Sequence, residues 1–387
     1  MTFWIALFAL SLGGLAYTFA GYPAWLWVRA KLRPRPVRKA AFEPSVAIVM
    51  AVHNGAHDVL RKIESCLAQD YPPERLRIVV ASDGSTDATD RIVESLDDPR
   101  VRLLRFPQRR GKAACLVDAV AACREPFIVF TDVRQPLDPA AVRTLMENMA
   151  DPRVVAASGK LVTRLEGGDG YARGLDAYLR IEQALRKLES AGGSLVGVTG
   201  ALYALRRSRF RSIPARTVLD DMLIPLNALR GGGRIVFEER AIAYEPLAAD
   251  PANERTRKVR TLAGNLQLLG WYPDLLLPWR NPVAFELFSH KVMRLLGPAF
   301  LAGAFVANAA LAASQPAFAI LFVLQLCGYA GAACTLAWPQ AARWRVASLA
   351  GAFLALNVCV VLAAREFFSN ADVHLWQPTG AEMGSHD

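Results

Sequence analysis

Two apolar stretches enclose a central region of mixed polarity in this chain. The first covers residues 1–28 and the second covers most of the chain after about Pro282, whereas residues 45–261 alternate between short apolar runs and amphipathic segments. An apolar run of about 20 residues is long enough to span a bilayer as a helix. The pattern therefore predicts a globular domain between an amino-terminal membrane helix and a carboxyl-terminal group of membrane helices.

The amino-terminal stretch, residues 1–28, has no charged side chain and has Trp4 near one end and Trp25 and Trp27 near the other. Tryptophan favours the two interfaces of a bilayer, which suits a spanning helix. A cleaved signal peptide is the alternative, but no basic residue precedes the apolar run and the run is long. We expect an anchor, with the basic linker 29–44 on the cytosolic side by the positive-inside rule.

The chain after residue 261 predicts one interfacial segment, three membrane spans and a tail. Residues 262–281 are apolar but are interrupted by Pro273 and Pro278, which favours a segment lying on the bilayer surface. Three transmembrane helices are expected within residues 282–365, and residues 366–387 form the tail. The spans are predicted at Val292–Ala313, Pro316–Trp338 and Val346–Ala364.

Residues 45–261 show the alternation of strand and helix that is typical of an α/β domain. Continuous apolar runs predict buried strands, and amphipathic segments between them predict helices. The strands are expected at Val46–Val52, Leu76–Ala81, Val101–Phe106 and Phe127–Phe130, and the helices at Val59–Gln69, Thr86–Leu96 and Lys112–Cys123. Such βαβ units form a largely parallel sheet, and ligands bind beyond the carboxyl ends of its strands. Asp83 and Asp132 follow two of these strands, which indicates an enzyme.

The second half of this domain has a less regular pattern. It predicts mixed elements, together with an acidic pair, Asp220-Asp221, at a helix start. These elements are a strand at Val154–Ser158, a helix at Tyr171–Leu188, a hairpin-like stretch at Val196–Leu205, a helix through Leu229 and a strand at Arg234–Phe237.

Composition and charge support a membrane protein and disfavour other classes. Hydrophobic residues make up 53% of the chain, and mean hydropathy is +0.21. The net charge is +10, and the densest basic cluster directly follows the first apolar stretch, which favours the cytosolic flank of a membrane helix over a nucleic-acid patch. We expect no nucleic-acid partner. The six cysteines form no CxxC pair and have no suitably spaced histidine, which suggests a reducing compartment.

The ends of the first two strands carry motifs that point to a known family. They read Ala51-Val52-His53-Asn54-Gly55 and Val80-Ala81-Ser82-Asp83-Gly84-Ser85-Thr86-Asp87. They resemble the family 2 glycosyltransferases, whose GT-A fold is a Rossmann-like mixed sheet. The resemblance implies that Val52, His53 and Asn54 flank the base of a UDP-sugar and that Asp83 accepts hydrogen bonds from its base or ribose. The local alternative is a turn in which Ser85 or Thr86 caps the next helix.

Two further segments resemble the diphosphate and metal sites of this family. Lys112 follows Arg109-Arg110-Gly111 at a helix start, an arrangement that suits phosphate. Asp132 matches the first carboxylate of the D-x-D motif, and Arg134 replaces the second. The resemblance implies a divalent cation, Mg²⁺ or Mn²⁺, held by Asp132. Either Asp132 and the diphosphate hold that cation together with waters, or Arg134 takes over part of the charge neutralisation.

The acidic pair and a basic segment complete the expected site. Asp221 matches the general base of the family, and Asp220 is the carboxylate before it. Repulsion between adjacent carboxylates raises the pKa of one of them, although a helix N-cap pair is the alternative. Arg260 matches the arginine of a Q-x-x-R-W motif, which contacts the diphosphate, and Arg257 replaces the glutamine. A basic helix face on anionic lipid headgroups is the alternative for these arginines.

The resemblance implies an inverting, membrane-bound glycosyltransferase in cell-surface polysaccharide or glycolipid synthesis. Its expected partners are a nucleotide-sugar, a lipid-linked or growing glycan acceptor, membrane lipids and other polysaccharide-synthesis proteins. We expect it in the inner membrane, with its catalytic domain in the cytosol. Transfer onto a polyprenyl phosphate and a non-catalytic scaffold of an export complex remain alternatives.

Overall fold

The amino-terminal apolar run folds as one long helix. The computed structural model describes residues 1–163, 170–245, 251–337 and 345–369. Helices α1 (Thr2–Ala16) and α2 (Tyr22–Leu32) are joined by a π-helical turn. Together they are long and apolar enough to cross a membrane. This helix runs past the predicted boundary at Val28 into the basic linker, because nothing in Arg29-Ala30-Lys31-Leu32 opposes a helix.

The central domain is a seven-stranded mixed sheet with helices on both faces. The order of its strands is β3-β2-β1-β4-β6-β5-β7. The strands are β1 (Val46–Val52), β2 (Leu76–Asp83), β3 (Val101–Phe106), β4 (Phe127–Thr131), β5 (Val154–Thr163), β6 (Leu202–Arg206) and β7 (Arg234–Glu245). The helices are α3 (Val59–Leu67), α4 (Thr89–Glu94), α5 (Lys112–Ala121), α6 (Ala141–Met149), α7 (Gly170–Gly192) and α8 (Asp220–Leu229).

The first four strands are parallel, and β1 lies at their centre. All seven residues of β1 are buried, because helices cover both faces of the sheet. Side chains alternate between the faces, so that Ala47 and Val49 join the core on one side while Ile48 and Met50 join the core on the other. The carboxyl ends of β1, β2 and β4 therefore meet at one edge, as the sequence predicts.

One predicted element of the second half is wrong. The expected hairpin at Val196–Leu205 is a single strand, β6, which pairs antiparallel with both β4 and β5. This strand makes the sheet mixed, and β7 then pairs parallel with β5. The residues before β6 form an irregular segment instead of a first hairpin arm. Their backbone contacts include Val198 N–H donating to the carbonyl of Asp221.

The basic linker 29–44 packs along the domain. The backbone N–H of Arg35 donates to the carbonyl of Ala191, and that of Arg38 donates to the Asp151 carboxylate. Arg29 forms an ion pair with Glu286. These contacts fix the linker against the globular domain and the end of the amino-terminal helix against the carboxyl-terminal helices.

The carboxyl-terminal helices begin earlier than the sequence predicts. Helix α9 (Pro251–Trp271) already contains Arg257 and Arg260 and continues into the apolar segment expected from residue 262. A 3₁₀ turn, Pro273–Leu276, ends this region at the proline noted above. The arginines of the expected site therefore belong to the same helix as the predicted interfacial segment.

The first predicted carboxyl-terminal span, Val292–Ala313, is wrong as one straight helix. Helices α10 (Ala284–Leu287) and α11 (Met293–Leu295), joined by a π turn, form one helix. That helix meets α12 (Gly297–Ala312) at an angle of 54°. Gly297-Pro298 at the start of α12 explains the break, because proline cannot continue the preceding hydrogen-bond ladder.

Two further apolar helices follow. Helices α13 (Pro316–Ala337) and α14 (Arg345–Ser369) are both long and apolar enough to cross a membrane. In the described residues, three helices meet this criterion, or four if the bent pair forms one span. The end of the second predicted span at Trp338 and the tail beyond Ser369 lie outside the described residues.

Candidate active site

Four charged side chains meet at the carboxyl edge of the sheet. The ammonium of Lys112, in the first turn of α5, lies 2.7 Å from Oδ1 of Asp132 and 3.4 Å from Oδ2 of Asp220. A Cβ added at Gly200 would lie 3.6 Å from Oδ2 of Asp132 and 3.4 Å from Oδ2 of Asp221. The fold thus brings together the expected residues from three separate segments, and Gly200 leaves space between two of their carboxylates.

Asp221 combines partial exposure with an unusual pKa. Burial and the charge of Asp220 raise the pKa of Asp221 to about 6, against the opposing charges of Lys112 and Arg186. Its carboxylate accepts no hydrogen bond from the part of the chain that the structure describes. Such a carboxylate is able to take up a proton near neutral pH.

Asp132 and Lys112 hold their charges instead. Burial acts to raise the pKa of Asp132, but Lys112, Arg134 and Lys62 outweigh it and keep the pKa below its ordinary value. Burial likewise acts to lower the pKa of Lys112, but Asp132 and Asp220 raise it above its usual range. The site therefore holds an ionised carboxylate and a permanent ammonium next to Asp221.

Asp83 lies beside this group but faces the backbone. Its Oδ1 accepts a hydrogen bond from the N–H of Arg110 at 2.6 Å, and its Oδ2 accepts one from the N–H of Gly111 at 2.9 Å. Its side chain is fully buried. The direct contact with a base or ribose expected above stays a prediction. The hydrogen bonds of Asp83 fix the loop that carries Lys112.

The loop after β1 is joined to the loop after β2. The ring Nδ1 of His53 lies 2.7 Å from the carbonyl oxygen of Asp83. Asn54 adopts a left-handed backbone conformation with φ 49°, and its Oδ1 accepts a hydrogen bond from the N–H of Thr86 at 2.8 Å. Val52 is buried in the core, whereas the two residues after it are partly exposed.

The capping role considered for Ser85 and Thr86 is wrong. Oγ of Ser85 accepts a hydrogen bond from Asn54, and Thr86 donates to the same residue. Helix α4 begins only at Thr89, whose N–H donates to Oδ1 of Asp87 at 3.0 Å. The DGSTD segment therefore connects two loops, and the N-cap position of α4 falls on Ala88, after this segment.

Glu245, at the end of β7, organises the arginines near the site. Its Oε1 lies 3.4 Å from Arg134 and 3.1 Å from Arg257, while Oε2 accepts a hydrogen bond from Gln135 at 2.7 Å. Arg260 lies close enough for its charge to act on Asp132, Asp220 and Asp221. Arg134 and Arg257 thus form a group with Glu245, whereas Arg260 belongs to the carboxylate group.

Sequence reasoning missed two buried residues beneath the site. Lys62 donates to Oγ1 of Thr131 at 2.7 Å and to the carbonyl of Gln135. Its position on the apolar face of α3, between Val59 and Ile63, was a detectable signal. Tyr203 stacks on Phe130 and has a buried hydroxyl without a partner in the described residues. Neither Tyr203 nor Glu245 stands in a pattern that would single it out.

Comparison with known proteins agrees with this fold and these motifs. Residues 47–213 match the family described as Glycosyl transferase family 2. This segment contains the first six strands and both loops of the two motifs. The match to this segment and the mixed sheet agree with the GT-A fold and with the resemblance to family 2 glycosyltransferases that the motifs predicted.

Two curated relatives from bacteria illustrate the similarity. The chain is 35% identical over 214 residues to the succinoglycan biosynthesis protein ExoO of Rhizobium meliloti (strain 1021), covering 51% of this chain and 59% of that protein. It is 24% identical over 228 residues to the pre-mycofactocin glycosyltransferase of Mycobacterium tuberculosis (strain CDC 1551 / Oshkosh), covering 58% and 46%. The chain therefore spans about half the length of these curated relatives.

One solved structure resembles nearly the whole chain. The mannosyltransferase PcManGT from Pyrobaculum calidifontis, in complex with GDP-Man and Mn²⁺, has a TM-score of 0.70 and 23% sequence identity. The similarity covers 94% of this chain and 99% of that protein, so it extends beyond the domain into the apolar helices. It supports the combination of a GT-A domain with helices at both ends.

Proposed function

We propose that this protein is a membrane-bound, inverting glycosyltransferase. It moves a sugar from a nucleotide-sugar, a UDP-sugar by the motifs, to a lipid-linked or growing glycan in cell-surface polysaccharide or glycolipid synthesis. The observation that carries this proposal is the meeting of Asp132, Asp220 and Asp221 with Lys112 beside the space at Gly200. The polysaccharide context is supported by the relative from Rhizobium meliloti.

The reaction that suits this geometry is attack by an acceptor hydroxyl on the anomeric carbon. The new bond joins the acceptor oxygen to that carbon, and the bond from the carbon to the diphosphate oxygen breaks. Asp221 takes the hydroxyl proton, which its raised pKa permits near neutral pH. Lys112 and Arg260 offset the charge of the departing nucleoside diphosphate.

Asp220 and Asp83 act through their neighbours. The charge of Asp220 raises the pKa of Asp221, and its contact with Lys112 positions that ammonium. Asp83 fixes the backbone of Arg110 and Gly111 and thereby the start of α5. His53 and Asn54 remain our candidates for contact with the base, because they are partly exposed beside this loop.

The site suits a divalent cation that is held jointly by the protein and the donor phosphates. In the described residues, no three His, Cys, Asp or Glu side chains form a group that could hold a metal ion. Asp132 is 36% exposed, and only its Oδ1 is bonded to Lys112, so that Oδ2 is available to a cation also bound by donor phosphates. When bound, Mg²⁺ or Mn²⁺ supplies further neutralisation of the leaving diphosphate. Arg134 pairs with Glu245 and is our candidate for a contact with the diphosphate of the donor.

The apolar helices support a placement in the inner membrane with the catalytic domain in the cytosol, where nucleotide-sugars occur. The broken helix pair and two long apolar helices follow α9, which carries Arg257 and Arg260. The carboxylate group thus lies on a domain held next to a bilayer. We expect membrane lipids and other polysaccharide-synthesis proteins as partners.

A nucleotide-release assay on the full-length protein in detergent tests the proposal. A panel of UDP-sugars, with GDP-mannose as a further donor, is supplied with and without EDTA to wild type and Asp221→Asn. We expect release of the diphosphate from one donor, loss of release in the variant and a decrease with EDTA. No nucleotide release from any donor, with any acceptor extract, would favour the non-catalytic scaffold. A phosphate-linked sugar product would identify a polyprenyl phosphate acceptor.

A further inference from the structure

Glu245 is a buried carboxylate beside the site that takes no part in the proposed reaction. It ends β7, and its side chain is 10% exposed. The preceding residue holds this end of the strand against the loop after β4, because the N–H of Tyr244 donates to the carbonyl of Pro136 at 2.9 Å. The Glu245 carboxylate therefore has a fixed position next to the loop that carries Asp132.

This carboxylate joins side chains from two separate segments of the chain. Its Oε1 lies 3.4 Å from the guanidinium of Arg134 and 3.1 Å from that of Arg257. Its Oε2 accepts a hydrogen bond from Nε2 of Gln135 at 2.7 Å. Arg134 and Gln135 belong to the loop after β4, whereas Arg257 belongs to α9. Glu245 thus connects this helix to the loop.

Lys62, on α3, anchors both ends of the same loop segment. Its ammonium donates to Oγ1 of Thr131 at 2.7 Å and to the carbonyl of Gln135. Asp132 and Arg134 lie between these two anchored residues in the chain. Because the ends of this short segment are fixed, Arg134 stays close to Asp132. The group around Glu245 therefore borders the carboxylates of the site.

The two arginines of this group are held close together and remain accessible. Two guanidinium groups repel each other unless an anion lies between them, and Oε1 of Glu245 contacts both Arg134 and Arg257. The Arg134 side chain is 30% exposed and the Arg257 side chain is 33% exposed. A planar guanidinium binds phosphate through paired N–H groups. Two such groups held side by side suit the two phosphates of a nucleoside diphosphate.

We propose that Glu245 is a positioning residue, which holds Arg134 and Arg257 side by side for the diphosphate of the nucleotide-sugar donor. The proposal rests on the transferase function proposed above. Glu245 acts through the two arginines, because without its charge they separate and contact the diphosphate less well. The affinity for a nucleoside diphosphate should then decrease, whereas contacts with the nucleoside should not change.

The test is isothermal titration calorimetry of the full-length protein in detergent and Mg²⁺, with UDP as the probe, or GDP where wild type prefers it. The matching nucleoside, measured by competition, lacks both phosphates. We expect Glu245→Gln to weaken binding of the diphosphate about tenfold, as loss of a charge-assisted contact does, and to leave binding of the nucleoside within about twofold. Thermal unfolding checks the fold. If Glu245→Gln does not fold, Glu245→Asp replaces it, because it keeps the charge but shortens the side chain.

Glu238 provides a matched control on the same strand. Its carboxylate is 3% exposed and also binds two cations and an amide, namely Lys39, Arg240 at 2.9 Å and Asn148 at 2.6 Å. None of these partners belongs to the candidate site. Glu238→Gln should therefore lower the unfolding temperature, as loss of a buried charged contact does, but leave binding of the nucleoside diphosphate within about twofold.

A combination of variants separates a positioning role from an independent one. In the double variant Arg134→Gln/Arg257→Gln, Glu245 has lost both side chains through which it is proposed to act. Adding Glu245→Gln to this double variant should weaken binding of the diphosphate by less than about twofold. Independent effects would multiply and give a further loss of about tenfold.

Four outcomes would overturn the proposal. They are wild-type affinity in folded Glu245→Gln, an equal loss of affinity in Glu238→Gln, an equal loss for the nucleoside, and a further loss of about tenfold in the triple variant. Wild type that binds neither UDP nor GDP would overturn the donor assignment as well. The expected pattern of binding without any nucleotide release would refute the transferase function and leave the role of Glu245 supported.

Discussion

Replacement of Asp221 by Asn removes the proposed general base without changing the size of the side chain. The Asp221 carboxylate is bonded to no group in the described residues, so the substitution should not break a structural contact. Its pKa is raised to about 6 by burial and by the charge of Asp220. The ionised carboxylate is the active form, so activity should rise as pH increases through this value.

The size of the effect follows from that pKa. With a pKa of about 6, roughly 90% of Asp221 is ionised at pH 7 and roughly 10% at pH 5, so kcat/KM should fall about tenfold between them. A general base accelerates a reaction about 10²- to 10⁴-fold, so Asp221→Asn should lower kcat/KM by that factor. The pH–rate profile of this variant should no longer fall at acidic pH. In Asp220→Asn, loss of the like charge should move the acid limb to lower pH.

The assay is nucleotide release at saturating and limiting donor from pH 5 to 8, for wild type and both variants. Thermal unfolding of each variant checks that the fold is retained. A wild-type rate in Asp221→Asn would remove this residue from the mechanism. An acid limb that Asp220→Asn leaves in place would refute the argument that the neighbouring charge sets the pKa.

Three further predictions concern residues around the reacting group. Gly200→Ala should reduce turnover about a hundredfold with little change in stability, because its Cβ would sit in ordinary contact between Asp132 and Asp221. Asp83→Asn should lower the free energy of unfolding by about 1–3 kcal/mol and raise KM for the donor, because its amide would face a backbone N–H. Burial lowers the pKa of Lys62 from 10.5 to about 8. Between these two pH values the unfolded state therefore binds more protons than the folded state. The free energy of unfolding of the wild type should rise with pH by up to about 3 kcal/mol. In Lys62→Met, the free energy of unfolding, measured from pH 7 to 10.5, should not show this rise.

Each of these predictions has a matched control. Gly328→Ala adds a methyl group where nothing lies within 4 Å, and Asp118→Asn removes from α5 an exposed partner of Arg110. Lys187→Met removes an exposed lysine. The argument for Gly200 would be contradicted by full turnover in Gly200→Ala. The argument for Asp83 would be contradicted by an equal loss of stability in Asp83→Asn and Asp118→Asn. The argument for Lys62 would be contradicted if the stability of Lys62→Met rose with pH as in the wild type.

The sequence determined the local elements and the chemistry of the strand ends. The continuous apolar run of β1 placed this strand at its observed bounds, because a strand buried on both faces leaves no room for polar residues. The motifs placed Asp132 and Asp221 among the candidates. The parallel pairing of β1, β2 and β4 then follows from their alternation with helices.

Only the tertiary structure decided which groups face each other. Leu202–Arg206 became a central antiparallel strand through pairing with distant strands, and Asp83 turned towards backbone N–H groups donated from 27 and 28 residues away. Glu182 and Glu189 likewise find their partners Arg294 and His290 on another helix, far away in sequence. Periodicity and local motifs report burial and turns within a few residues, whereas hydrogen bonds and ion pairs between distant segments depend on how the whole chain packs.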